Sequence, residues 1–245
     1  MTTVANVPAP ASGMLSDLQA GIVGDAKLVL IGLNWTLVQG PHGIGLAHTP
    51  VRGTAGCRTS PAPGDYAGTA LADLAALAGA NNIFERAIGF AAISAHHNRA
   101  DLPGAESNGL DLLDGTGRKT VVIGRFPRLN ERFPEAVVIE REPGPGDHPE
   151  SAAPELLAQA EQVLMTGSTL TNGSLTGLLP LIPSAAFVVL VGPSTPLAPI
   201  LFDHGINALS GLVALDEDAI IRCISEGAAV SAIRPYSRFL TLQRD

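Results

Sequence analysis

The chain has 245 residues, of which 46% are apolar, 16% charged and only 4% aromatic, with a formal net charge of −8. The apolar share supplies a sizeable aliphatic core and argues against global disorder, while so few aromatics leave little platform for stacking nucleic-acid bases. The negative charge would repel nucleic acid or an anionic membrane surface, although it leaves room for a local basic pocket.

Residues 1–10 show no basic stretch followed by an apolar one, so no leader is read there. No run of eighteen apolar residues suggests a membrane span. Cys57 and Cys223 stand far apart with no CxxC pair, a pattern suited to a reducing cytoplasm and carrying no zinc-site signal. Cys57 is expected to be a merely exposed thiol.

Ser12 or Ser16 caps a short opening helix through Leu15, Leu18 and Ile22, ending at Gly24. Residues 27–31 form a strand, 34–38 extend it, Gly40, Pro41 and Gly43 turn the chain, and 44–48 return. This predicts a β-hairpin or small meander. Residues 52–68 carry Gly, Pro, Ser and Thr without apolar period and read as a long loop, the kind that often serves as a lid or binding loop. Alanines and leucines predict a helix over 69–80, ended by Gly79. Asn81 or Asn82 then caps a second helix over 83–95, whose small-residue stripe allows close packing. His96, His97 and Asn98 end it. Adjacent helical histidines diverge by about 100° and cannot both grip one ion. Residues 98–117 are polar and Gly-rich and read as a linker.

From Lys119 the period changes. Strands are predicted at 120–123, 136–139, 163–165, 187–191 and 208–213, and helices at 154–161, 174–182, 196–204 and 217–226. Continuous aliphatic strands alternating with helices indicate a parallel sheet covered on both faces. The expected architecture is a Rossmann-like, doubly wound α/β domain over 118–245, preceded by a smaller α+β module over 1–117.

Ligands of such sheets bind outside the carboxyl ends of the strands. Those ends offer Gly124, Arg125, Phe126 and Pro127; then Glu140 and Arg141; then the uncharged corner Thr166, Gly167, Ser168, Thr169, running on to Asn172, Gly173 and Ser174. The next offers Gly192, Pro193, Ser194, Thr195 and Pro196. Hydroxyls, an amide and backbone N–H groups at a helix N-terminus favour anions. An ordinary strand–turn–helix corner capped by Asn172 or Thr171 would use the same residues. No GxGxxG follows the first strand, and 117–120 lacks P-loop spacing, which weakens dinucleotide and P-loop readings. Gly144 to His148 and Glu150 read as a solvated loop.

With these strand ends in view, the chain resembles the "putative heavy-metal chelation" family. The resemblance rests on Val122-Ile-Gly-Arg-Phe-Pro127, Val138-Ile-Glu-Arg141, Thr166-Gly-Ser-Thr-Leu-Thr-Asn-Gly173 and Gly192-Pro-Ser-Thr-Pro196, with Gly32-Leu-Asn-Trp-Thr36 and Ala87-Ile-Gly-Phe-Ala-Ala-Ile93 upstream. It implies an enolase-N-terminal-like module ahead of the Rossmann-like domain, with a site at their junction. Arg125 stands where the family pattern often has His, and Ser94 where Asn is expected. The first departure weakens imidazole ligation and substitutes a guanidinium suited to carboxylate or phosphate.

The resulting expectation is an intracellular protein that binds a small anionic or metal-chelating molecule in the cleft between modules. Arg125 and helix N-termini at 172–174 and 194–196 would hold anionic groups. Glu140 would be the cleft's single carboxylate, a ligand for a divalent metal ion or a general base, with Arg125 as its protein partner. Asn34, Thr36 and His42 would close the site from the hairpin side, His42 as a second metal ligand. The alternatives are an enzyme using a nucleotide-like or adenosyl cofactor, with Glu140 on the ribose, and a non-catalytic scaffold. The chain's size also suits a homodimer.

Overall fold

The computed structural model describes residues 12–50 and 59–244. The first ten residues and Cys57 therefore lie outside the described residues, and nothing bears on their reading. α1 (Ser12–Gln19) precedes three antiparallel strands, β1 (Leu28–Ile31), β2 (Trp35–Gln39) and β3 (Ile44–His48), paired in the order β1-β2-β3. This is the small meander. α2 (Leu71–Ala76) tightens into a 3-10 turn at Leu77–Gly79, and α3 (Ile83–His97) follows. Its start is fixed by Asn82, whose side chain accepts the N–H groups of Phe84 and Glu85 at 2.9 and 3.2 Å, satisfying two of the donors a helix N-terminus leaves over.

The small-residue stripe of α3 has a steric purpose. A Cβ added at Gly45 of β3 would lie 2.1 Å from the Ala91 carbonyl oxygen, and one at Gly89 would lie 2.0 Å from the Ala78 nitrogen. Only glycine permits backbones to approach that closely. At the far end, the His97 ring meets the Leu18 carbonyl at 3.0 Å, tying α3 to α1. The neighbouring His96 and His97 rings meet edge to face, their centroids 4.8 Å apart.

The second half contains β4 (Thr120–Ile123), α4 (Leu129–Arg132), β5 (Val137–Glu140), β6 (His148–Pro149), α5 (Ala153–Leu157), β7 (Gln162–Thr166), α6 (Ser168–Thr171), α7 (Leu175–Leu178), β8 (Phe187–Val191), β9 (Ala208–Ala214), α8 (Glu217–Ser225), α9 (Val230–Ile233) and β10 (Ser237–Gln243). They build a seven-stranded sheet in the order β10-β9-β8-β7-β4-β5-β6, parallel except for β10 against β9. The fold is Rossmann-like and doubly wound, with its switch point between β4 and β7. Alternation along the strands sorts the core. Val121, Ile123, Val163, Met165, Val188 and Leu190 face the cluster that also holds Leu18, Ile88 and Leu157. Val122, Leu164, Val189 and Val191 face Leu110, Leu129 and Phe133 on the other side. The small sheet is likewise covered twice, by α3 on one face and, through Leu37 and Leu46, by Ile220 and Ile224 of α8 on the other.

Three expectations are corrected. Residues 98–117 are a bonded strap: Ala105 pairs with Thr241 through N–H···O bonds of 3.1 and 2.9 Å, and Gly109 N–H donates to Ser210 Oγ at 2.9 Å. The helix expected over 196–204 forms only as a 3-10 helix at Pro199–His204, since Pro196 and Pro199 remove the first N–H donors. No helix N-terminus therefore exists at 194–196. The turn expected between β7 and its helix is itself helical, as α6.

Asn98 joins the two sheets. It is 2% exposed; its amide donates to the carbonyls of Thr195 and Leu212 at 3.0 and 3.1 Å, and its Oδ1 accepts the Leu197 N–H at 2.7 Å. Truncation strands one donor and two acceptors in the buried interior, which costs on the order of 3 kcal/mol. Urea denaturation of Asn98→Ala should show that loss in midpoint with unchanged slope. A change within about 0.5 kcal/mol, the usual range for a surface substitution, would contradict this account.

Candidate functional site

At the switch point three strands end in glycine, and each glycine N–H extends the ladder outward. Gly124 donates to Ile139 at 3.0 Å, Gly167 to Val191 at 2.8 Å and Gly192 to Ser210 at 2.9 Å. Bonding away from the switch leaves the ends of β4 and β7 unbridged by these N–H groups, the place where sheets of this kind bind ligands. The packing at the turns is close. A Cβ on Gly124 would strike Thr166 Cγ2 at 2.6 Å, and one on Gly167 would strike Thr195 Oγ1 at 2.5 Å. Thr195 is fully buried and its hydroxyl has no partner among the described residues.

The hydroxyls around this point differ in what they have left to give. Thr169 Oγ1 donates back to the Thr166 carbonyl at 2.8 Å. Thr166 Oγ1 and Ser168 Oγ lie 3.4 Å apart, a weak contact that leaves both open to other partners. Ser194 Oγ accepts the His48 N–H at 2.9 Å, so β3 meets the end of β8 here while the Ser194 O–H can still donate. Pro193 is half-buried beside it.

Arg125 and Glu140 do not pair. Gly124 adopts φ +94°, a left-handed turn that carries Arg125 out of the sheet. Its guanidinium pairs with Asp147, a carboxylate whose side chain is 12% exposed and which also accepts the Gly144 N–H at 3.0 Å. Glu140 Oε2 instead accepts the N–H of Arg141 at 3.0 Å, and Arg141 reaches Glu150 at 3.1 Å. Sequence reading set the 144–148 loop aside and so missed Asp147. The Gly-Pro-Gly ahead of it, able to fold an acid back onto its own backbone, was the available signal.

The remaining candidates scatter. The Asn34 amide donates to the carbonyls of Gly227 and Ala228 at 2.9 and 3.3 Å, closing the end of α8. Thr36 is fully buried and its hydroxyl bonds that of Thr49 at 3.1 Å. His42 is exposed in the β2–β3 turn, at the opposite end of the hairpin from Asn34 and Thr36. It therefore does not close the same site. Asn172 is exposed and spends its Oδ1 on the Ser174 N–H at 2.9 Å, which makes it a turn former. Gly173 supports that turn at φ +79°, and Pro127 is exposed beyond the end of β4. Among the described residues no three His, Cys, Asp or Glu side chains are grouped to hold a metal ion, and no helix is long and apolar enough to cross a membrane.

Two family models described as "putative heavy-metal chelation" match the chain, one over residues 108–243 and the other over 19–97. A solved structure of a protein of unknown function from the DUF364 family of Desulfitobacterium hafniense is similar, at 25% identity and TM-score 0.83, covering 94% of this chain and 98% of that one. A DUF364 protein of unknown function from Pyrococcus horikoshii aligns at 20% identity and TM-score 0.76 over 94% of this chain and all of that one (100%). No curated protein matches.

The Asp147 carboxyl is held below the usual aspartate range by the Gly144 N–H first and the Arg125 guanidinium second. A lowered folded pKa contributes stability above the ordinary aspartate value of about 3.9 and loses it as pH falls through the lowered one. The stability gap between wild type and Asp147→Asn should therefore be present at pH 7 and close on acidification below about pH 4. A gap independent of pH, read from urea midpoints between pH 7 and pH 2.5, would mean that the charge is irrelevant.

Proposed function

This chain belongs to the "putative heavy-metal chelation" family, and we propose that it binds a small anionic or metal-chelating molecule across the carboxyl ends of β4, β7 and β8. The observation that carries this reading is the convergence of the three glycine turns on a hydroxyl-rich end of the sheet. Glycine at 124 and 167 lets the side chains of Thr166 and Thr195 close against the turns, and Thr166, Ser168 and Ser194 keep hydrogen-bonding capacity there. In this proposal Arg125, exposed and paired with Asp147, is the cation offered to the ligand.

The donor set speaks to the form in which a metal would arrive. Zinc and similar transition-metal ions held by the protein alone take three or more converging carboxylate, imidazole or thiolate groups, and the described residues group none. Neutral hydroxyls and a guanidinium suit the outer oxygens of a molecule that carries its metal on its own donors. In this reading the chain contributes recognition, and the chelating atoms belong to the ligand. Glu140, at the end of β5, is the position from which Rossmann-like sheets bond a ribose, so an adenosyl or nucleotide cofactor is the rival occupant.

Two measurements test this. Mass spectrometry on the supernatant of denatured, freshly purified protein should show a polyacid or metal chelate; a stoichiometric nucleotide would sink the proposal in favour of its rival. Citrate with nickel should raise the melting temperature by mass action more than nickel alone, and Ser168→Ala combined with Arg125→Ala should remove most of that rise. Equal stabilisation by nickel alone would place the metal on the protein and overturn the reading.

A further inference from the structure

The segment that follows β7 has a second side. Away from the strand ends, Thr169, Leu170 and Gly173 line a cavity of about 290 Å3 that α1, the turn after α2 and α3 complete. Its walls are mostly apolar: Met14, Leu18, Phe90, Leu170 and Leu175 are all at least nine-tenths buried. One ionisable side chain lines it, Arg86 of α3. Arg86 Nε donates to the Ala80 carbonyl at 3.3 Å. It belongs to no ion pair recorded among the described residues, although most of the chain's other arginines do. Its Nη1 lies 3.2 Å from where a Cβ on Gly173 would stand, so the left-handed glycine of the Thr166–Ser174 corner keeps the guanidinium face clear.

A half-buried guanidinium without an acid partner, set in an apolar chamber, is an incomplete arrangement. A bidentate carboxylate is the group that completes it. Apolar contact over the remaining walls would then reward a hydrocarbon or aromatic body. The volume sets the size, since it would hold roughly ten water-sized groups at about 30 Å3 each. We infer that this cavity is a second ligand site, for a small monocarboxylic acid with an apolar body, its carboxylate on Arg86 and its body against Leu18, Phe90 and Leu170. The site is independent of the strand-end proposal. It uses the opposite side of the same corner and selects for apolar bulk where the strand ends select for polar oxygens.

The test uses the whole protein and two matched pairs of probes, hexanoate with hexanamide and benzoate with benzamide, by isothermal titration and thermal shift. Wild type should bind at least one acid tenfold or more tightly than its amide. Arg86→Met, which keeps length and removes charge, should lose tenfold or more for that acid and bring acid and amide level. Thr176→Phe places bulk at the exposed lining position and should abolish binding of both without lowering the melting temperature, which covers the case in which Arg86→Met does not fold. Ser168→Ala, on the strand-end side, should leave acid binding unchanged. No binding of either acid, equal binding of acid and amide, or loss of acid binding in Ser168→Ala with retention in Thr176→Phe would each overturn the inference.

Discussion

The molecule hangs on one amide. Asn98 closes α3 and, with all three of its strong hydrogen bonds, serves the backbone of the other sheet. The carbonyls and the N–H it satisfies belong to residues 195, 197 and 212, which run through the interior after β8 and along β9. The stretch after β8 has no ladder of its own, and buried peptide groups must find partners somewhere. An amide is the one side chain that offers both donors and an acceptor at that reach. Placing it at a helix terminus lets a rigid rod set the position of a loop. The His48 N–H on Ser194 Oγ then fixes the same loop from β3, three residues upstream of Leu197.

Much of this fold was legible because its strands are buried on both faces. Runs such as Val121-Val122-Ile123 and Val188-Val189-Leu190-Val191 carry no polar alternation, and that is the mark of a parallel sheet between two layers. β10 escaped notice for the complementary reason. It is an antiparallel edge strand whose Arg238 and Thr241 interrupt the apolar run, and one half-exposed strand late in a chain resembles a tail. The 98–117 strap was misread because polarity was equated with solvent. Its Asn108 and Asp111 spend their polarity on each other's backbone in a capping box, and Leu110 and Leu113 go into the core. The hydroxyl-rich corner showed its position but hid α6, since four residues are too few to display a helical period.

The site illustrates where one-dimensional reasoning stops. Glu140 ends β5 and Arg125 follows the end of the adjacent parallel strand β4, so their equivalent height suggests a pair. A single residue in the left-handed region defeats that inference, because Gly124 rotates the chain before the arginine is placed. The carboxylate that Arg125 finds comes from a loop between β5 and β6, where neither strand spacing nor helical period gives a coordinate. The positions that strand spacing does fix are the glycines at 124, 167 and 192, whose N–H groups extend the ladder. Hairpin residues Asn34, Thr36 and His42 share an element but not an end of it, and a strand of five residues is long enough to separate them.

The paired glycines at 45 and 89 carry a mechanical consequence. Their contacts leave no layer of side chains between α3 and its two neighbours, so there is no soft material in which a relative displacement could be absorbed. β3, α3 and the turn after α2 must translate as one rigid block. Since Asn98 and Ser194 bolt that block to the loop after β8, a hinge between the sheets has no free joint about which to open. Any response to a ligand at the strand ends would have to take the form of shear, with small slides along the face between α3 and α6. Such a molecule would register occupancy as stiffness far more than as a change of shape.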